Sequence, residues 1–188
     1  MSVPMRVLGG LVLLLCCAVF PVSYAGSSDD AQGLAQRIKA AYLYKFASYV
    51  QWPRTSFPES STPLTIGVVG DDGLAADLEQ AVVGHSVDGH PVAARRVAPG
   101  DTLAGIHILL IGPMHVEALK ALALAARQHS ILTVGESADA LDGGAVINFV
   151  LVDRHVRFEV SLRSAQESGL KLSARLLQVA ARVHTDDD

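Results

Sequence analysis

The stretch Leu64-Thr-Ile-Gly-Val-Val-Gly-Asp-Asp-Gly-Leu-Ala-Ala-Asp-Leu-Glu-Gln-Ala-Val-Val83 decides the fold. Its first six residues form a short apolar, β-branched run, as a buried strand requires. Gly70-Asp71-Asp72-Gly73 then supplies turn chemistry, and Leu74–Val83 has helical spacing. This is strand, turn, helix. The unit recurs downstream. Val92–Val97 reads as a strand and Ile106–Ile111 as a stronger one, after which Gly112-Pro113 turns the chain into an Ala/Leu-rich helix over residues 114–128. Ile131–Val134 is a third clear strand. Gly135-Glu136-Ser137 leads to another helical turn, and Asp142-Gly143-Gly144 breaks it. Val146–Val152 and His155–Val160 flank Asp153-Arg154 and read as a hairpin. Apolar strands alternating with helices specify a mostly parallel sheet covered on both faces. The fold class is therefore α/β: a single-domain sandwich with helices on both faces of the sheet and a C-terminal hairpin.

Outward from this centre, Leu34, Ile38, Tyr42, Phe46 and Tyr49 recur at spacings of three and four, predicting a helix over Leu34–Gln51. Trp52-Pro53 ends it, because a proline ring disfavours helical geometry at the residue before it. Gly26–Gly33 is small and polar and reads as a linker, so the domain spans 34–184. At the other end a helix is expected over Leu172–Val183, with Leu172, Leu176, Val179 and Val183 on one stripe, and 185–188 form an acidic tail.

Residues 1–25 read as an export signal. One cation, Arg6, precedes an apolar stretch over Val7–Val22 that closes on Ser23-Tyr24-Ala25. The stretch is short of the roughly 20 apolar residues of a membrane span. Cys16 follows Leu15 rather than the small residue of a lipoprotein signal. Cleavage after Ala25 is expected to deliver a chain of 163 of the 188 residues to an oxidising compartment outside the cytosol, enough for one domain with its own core. Both cysteines lie in the leader, so the exported chain would carry no thiol. Disulfides, cysteine nucleophiles and thiolate metal sites are excluded for it. The net charge of −4 becomes −5 without Arg6, and no run of Lys or Arg is present, which argues against nucleic acid binding.

Motifs for chemistry are few. Gly67, Gly70 and Gly73 space as G-x-x-G-x-x-G rather than the dinucleotide pattern, and two carboxylates stand where a pyrophosphate would lie. Asp71 or Asp72 is better explained as a helix N-cap. The seven histidines (85, 90, 107, 115, 129, 155 and 184) make no i, i+4 pair and no carboxylate-linked ligand set. His107, inside an apolar strand, reads as a hydrogen-bonded structural residue. No G-x-S-x-G elbow accompanies the serines. Asp139 and Asp142 flank a turn and read as loop chemistry. No catalytic residue, metal ligand or cofactor site is assigned, and the chain is not expected to be an enzyme. Of the eight aromatic residues beyond the leader, five fall between 42 and 52. Tyr42, Phe46 and Tyr49 share a face and read as core, whereas Tyr44 and Trp52 carry polar handles suited to a half-wet interface. Arg175, Gln178 and Arg182 line the face of the final helix opposite its leucines, a solvated face or an Arg-bearing partner surface.

The stretch Lys39-Ala-Ala-Tyr-Leu-Tyr-Lys-Phe-Ala-Ser-Tyr-Val-Gln-Trp-Pro53 resembles the opening signature of the YfiR/HmsC-like periplasmic proteins. A second signature runs Ile131-Leu-Thr-Val-Gly-Glu136, Gly143-Gly144-Ala-Val-Ile-Asn-Phe149, Val156-Arg-Phe-Glu-Val160 and Gly169-Leu-Lys-Leu-Ser-Ala-Arg-Leu-Leu177. The resemblance implies an α/β sandwich, often dimeric, that restrains a membrane-bound diguanylate cyclase by touching its periplasmic domain. Release would raise cyclic di-GMP and favour biofilm. It implies no cofactor. It also implies that Phe149, Glu159 and Arg182 are the partner-contact candidates, with Phe149 equally suited to the core. The chain departs from better-known relatives in lacking cysteines after the leader, so no disulfide or redox device carries over. Two other functions stay open: a periplasmic small-molecule sensor, and an envelope or export accessory protein.

Overall fold

The computed structural model describes residues 26–185. The leader reading at 1–25 and the last three residues of the acidic tail lie outside the described residues. The chain opens with α1 (Gly26–Ala47), β1 (Val50–Gln51) and a single 3-10 turn at Arg54–Ser56. Then come β2 (Leu64–Val69), α2 (Asp72–Ala81), β3 (Ser86–Val87), β4 (His90–Arg96), β5 (Ile108–Ile111) and α3 (Val116–Arg127). After β6 (Leu132–Gly135) the chain forms β7 (Ile147–Val152) and β8 (His155–Ser161). It ends with α4 (Leu162–Glu167), β9 (Lys171–Leu172), α5 (Ala174–Val179) and β10 (Arg182–His184).

The main sheet has eight strands in the order β10-β8-β7-β6-β5-β2-β4-β3. Within it β4, β2, β5, β6 and β7 run parallel, which is the doubly wound arrangement expected from alternating strands and helices. All four residues of β5 and of β6 are buried, as in parallel strands covered on both faces, and the polar Thr133 among them accepts from the Val146 amide at 3.1 Å. Only β8 shows the one-sided alternation: Val156, Phe158 and Val160 face inward while His155 and Arg157 face out. One face is covered by α1 and α2, whose Leu43, Phe46, Leu74 and Leu78 pack on Ile66, Ile108 and Val134. The other is covered by α3, through Leu119 and Ala126 against Leu109 and Ile111. The α/β sandwich with a mostly parallel sheet, two covered faces and a late hairpin stands as read.

The Asp153-Arg154 hairpin is present, with both turn residues at positive φ (49° and 64°), as a two-residue turn of this hand requires. Asp71 caps α2, its Oδ1 accepting from the Leu74 amide at 2.9 Å. Gly112 is obligatory for a different reason. A Cβ there would stand 2.9 Å from the carbonyl of Gly70, so the two loops ending β2 and β5 touch backbone to backbone.

Three boundaries differ from expectation. Residues 26–33 are helical, forming the first turns of α1; the stretch holds no proline, and nothing in its backbone chemistry stops the helix. That helix also ends early, at Ala47, where the Ser48 and Tyr49 amides bond back to the Lys45 and Phe46 carbonyls. Tyr49 is thus off the helix, and Val50–Gln51 instead pair antiparallel with Leu172 and Lys171. The final helix is the largest correction. It covers only Ala174–Val179, capped by the Ser173 hydroxyl, and Arg182–His184 then form a strand parallel to Glu159–Ser161. Ladder bonds with β8, led by the Ala181 amide to the Phe158 carbonyl at 2.8 Å, outweigh another turn of helix.

Candidate functional site

The two family signatures meet in space. Tyr42 and Phe46, four residues apart on α1, lie on one helical face and reach Phe149 of β7 and Phe158 of β8. Ring centroids are 5.0 Å apart for Phe46–Phe158 in an edge-to-face pair, and 5.9 Å for Phe46–Phe149. Phe149 is 6 % exposed. Of the three contact candidates it is therefore the one inside the aromatic core, which leaves the outer surface to the other two.

Glu159 and Arg182 are brought together. They are register partners across β8 and β10, near the outer edge of the sheet. Arg182 is exposed, and Glu159 is half-buried with its Oε2 3.4 Å from His184 Nε2. Arg175 and Gln178 stay on α5, so the expected row of three polar residues on one helix is split between a helix and a strand.

The hairpin beside this pair overhangs the sheet. Pairing between β6 and β7 covers only Val134–Ile147 and Gly135–Asn148, whereas β7 and β8 pair through Val152–His155. Leu151 and Val152 at its end are 73 % and 44 % exposed. At its base Lys39 Nζ of α1 lies 2.9 Å from Glu136 Oε2, an ion pair whose carboxylate side chain is 7 % exposed. Both residues sit at the ends of signature stretches. No spacing rule joins positions so far apart in sequence, so their contact was beyond sequence reading.

At the opposite, N-terminal ends of the parallel strands, His107 is buried as expected. Its Nδ1 accepts from the Thr65 amide at 3.2 Å, so Nε2 carries the proton and donates to the Ser56 carbonyl at 2.9 Å. Burial holds its pKa below the usual histidine value, and His90 nearby adds to this, against the stabilising bond to Ser56. Phe57 is sandwiched between His90 and His107 at 4.2 and 4.3 Å, a stack the sequence reading missed. Tyr44 and Trp52 use their polar handles inside the fold, donating to the carbonyls of Ser86 (3.4 Å) and His107 (3.3 Å).

A cavity of about 780 Å³ lies at the C-terminal ends of β2 and β4 beside α3. Its walls are Val97, Pro99, Met114, Ala118 and Leu122, with Asp72 and Arg96 at the rim. The switch point of the sheet, where open α/β sheets take ligands, lies one strand over, between β2, whose connection leads to β4, and β5, whose connection leads to β6. Asp71 already occupies the α2 amides, and Gly112 fills the space against Gly70. Among the described residues no cluster of three or more His, Cys, Asp or Glu could hold a metal ion. No helix among them is long and apolar enough to cross a membrane.

A conserved domain protein from Vibrio cholerae O1 biovar El Tor, known from its crystal structure, is similar at 13 % identity and a TM-score of 0.48. That likeness covers 64 % of this chain and 54 % of the other, so this chain spans about half the length of that structure. No curated protein matches the chain. Residues 36–181 match the YfiR/HmsC-like family, and that span takes in both signatures, the aromatic cluster they build and all of β8, stopping just short of β10: the chain belongs to the YfiR/HmsC-like family of periplasmic regulators.

Proposed function

We propose that this chain is exported to the periplasm and there restrains an inner-membrane diguanylate cyclase by protein contact, lowering cyclic di-GMP and biofilm formation. The observation that carries the reading is family membership over residues 36–181. Restraint by binding is a population shift, so the regulator must bind the inactive cyclase more tightly than the active one. Turning a cyclase from almost wholly active to almost wholly inactive takes a preference of about 5.5 kcal/mol. A protein surface supplies that without any cofactor. The contact is assigned to Glu159 and Arg182, adjacent across β8 and β10 and on the outer part of the sheet.

The test is a pull-down of the cyclase's periplasmic domain with the purified protein, together with cyclic di-GMP measurement after deletion of the gene. Deletion should raise cyclic di-GMP. Glu159→Ala and Arg182→Ala should fold normally and weaken capture. Unchanged cyclic di-GMP on deletion would overturn the regulatory reading, and two fully restraining variants would overturn the surface.

A second reading, a small-molecule sensor whose ligand tunes the partner, is favoured by the apolar cavity of about 780 Å³ at the C-terminal ends of β2 and β4. Its signature would be ligand-dependent capture of the cyclase domain, lost when Ala118→Trp fills the cavity.

A further inference from the structure

We propose that the edge of β7 beyond Asn148 is a strand-addition site, taking an extended segment of a partner protein that donates a hydrogen bond to Glu136 from an amide or hydroxyl side chain. The proposal rests on the protein-contact reading above and names a second surface for it, separate from Glu159 and Arg182.

Three observations carry it. The first is an open backbone. β6 ends at Gly135, opposite Asn148, while β7 continues to Val152 with β8 as its sole strand partner among the described residues. The two-residue turn makes Val152–His155 the closing hydrogen-bonded pair, and such pairs alternate along an antiparallel ladder. Leu151 therefore turns its N–H and C=O away from β8, toward the line that β6 has left.

The second is the apolar character of this edge. Natural sheets blunt free edges with short strands or charge. That is what the two outermost strands do: β3 has two residues, and β10 carries Arg182 and His184 in three. The β7 overhang instead exposes Leu151 and Val152. An apolar open edge is the surface that an added strand covers.

The third is a polar group awaiting a donor. A cavity of about 240 Å³ between α1 and the hairpin is lined by Ala35, Lys39, Glu136, Phe149, Leu151 and Val156. The Glu136 side chain is 7 % exposed; its Oε2 meets Lys39, and its Oε1 has no hydrogen-bond partner. Buried carboxylate oxygens are ordinarily paired. Lys39 already balances the charge, so a neutral donor completes the site without burying a second cation. The volume suits one side chain rather than a folded element. A strand continuing the course of β6 past Gly135 would start beside Glu136 and run along Leu151.

The experiment combines amide hydrogen exchange with affinity measurement, using the purified protein and the periplasmic domain of the cyclase as probe. The complex should slow exchange of the Leu151 amide. Leu151→Pro removes that donor without touching the β7–β8 ladder and should weaken binding about tenfold, and Glu136→Gln should weaken it severalfold. Thermal melts of both variants, and retained exchange protection in β8, separate this from unfolding. Binding that persists with an unprotected Leu151 amide and unaltered variant affinities sinks the strand addition and leaves the regulatory reading standing. No binding at all sinks both. Self-association of the protein alone that Leu151→Pro abolishes would make the occupant a second copy and refute the proposal.

Discussion

Phe46→Ala tests whether the aromatic cluster is what clamps α1 to the hairpin. Phe46 is 1 % exposed and meets Tyr42, Phe149 and Phe158 at 5.8, 5.9 and 5.0 Å. A buried aromatic side chain hides on the order of 150 Å², worth about 4 kcal/mol at roughly 25 cal/mol/Å². Alanine keeps one methyl of this, leaving a loss near 3 kcal/mol before any cavity cost. The cavity would be walled by the paired strands β7 and β8, whose ladder fixes their position, so it collapses little. The expected total is about 4 kcal/mol, inside the usual range for Phe→Ala in cores. For a domain of this size that corresponds to a fall in Tm of roughly 8–16 °C. Tyr42→Ala should cost less, about 2 kcal/mol, because Tyr42 is only half-buried. Urea unfolding followed by circular dichroism measures both, with an unchanged m-value confirming a common unfolded state. A cost below about 1 kcal/mol for Phe46→Ala, or a larger cost for Tyr42→Ala, would refute the clamp.

Acid should destabilise the fold through His107. Its folded pKa is depressed by burial, so the unfolded chain takes up a proton first as pH falls. Its stabilising contribution is full above the ordinary histidine pKa and is lost as pH drops through that value toward the folded one. His107→Gln should flatten the slope of unfolding free energy against pH between about 7.5 and 5; an identical slope would show that other groups set it. Lys39→Met should cost about 2 kcal/mol by leaving the Glu136 carboxylate buried and unpaired, and Lys39→Met/Glu136→Leu should recover most of it in a double-mutant cycle. Gly112→Ala should cost about 1–3 kcal/mol, because its methyl meets the Gly70 carbonyl at 2.9 Å; a neutral result in thermal melts would mean the two loops are free to part.

Local chemistry made most of the fold legible. Asp71 caps α2, Asp153-Arg154 turns the hairpin and the β5 and β6 runs are buried throughout, each as its own few residues dictate. What escaped reading depends on partners distant in sequence. Leu176, Val179 and Val183 have helical spacing, and the helix does begin on Ser173. Yet Val183 lies opposite Val160 in a ladder, and a three-residue strand has too short a pattern to announce itself. That substitution of strand for helix matters for the site. On a helix, Arg182 would have stood with Arg175 and Gln178 as one solvated face. On a strand it stands beside Glu159, fixed by backbone bonds on either side of the pair. The same logic governs Lys39 and Glu136, nearly a hundred positions apart and joined only because α1 lies across the sheet where β6 ends. Caps, turns and buried runs are dictated by neighbours in sequence, whereas the aromatic clamp of Phe46 on Phe149 and Phe158, like the surface proposed to meet a partner, is assembled by the sheet's topology. A sequence signature therefore marks the family long before it marks the surface.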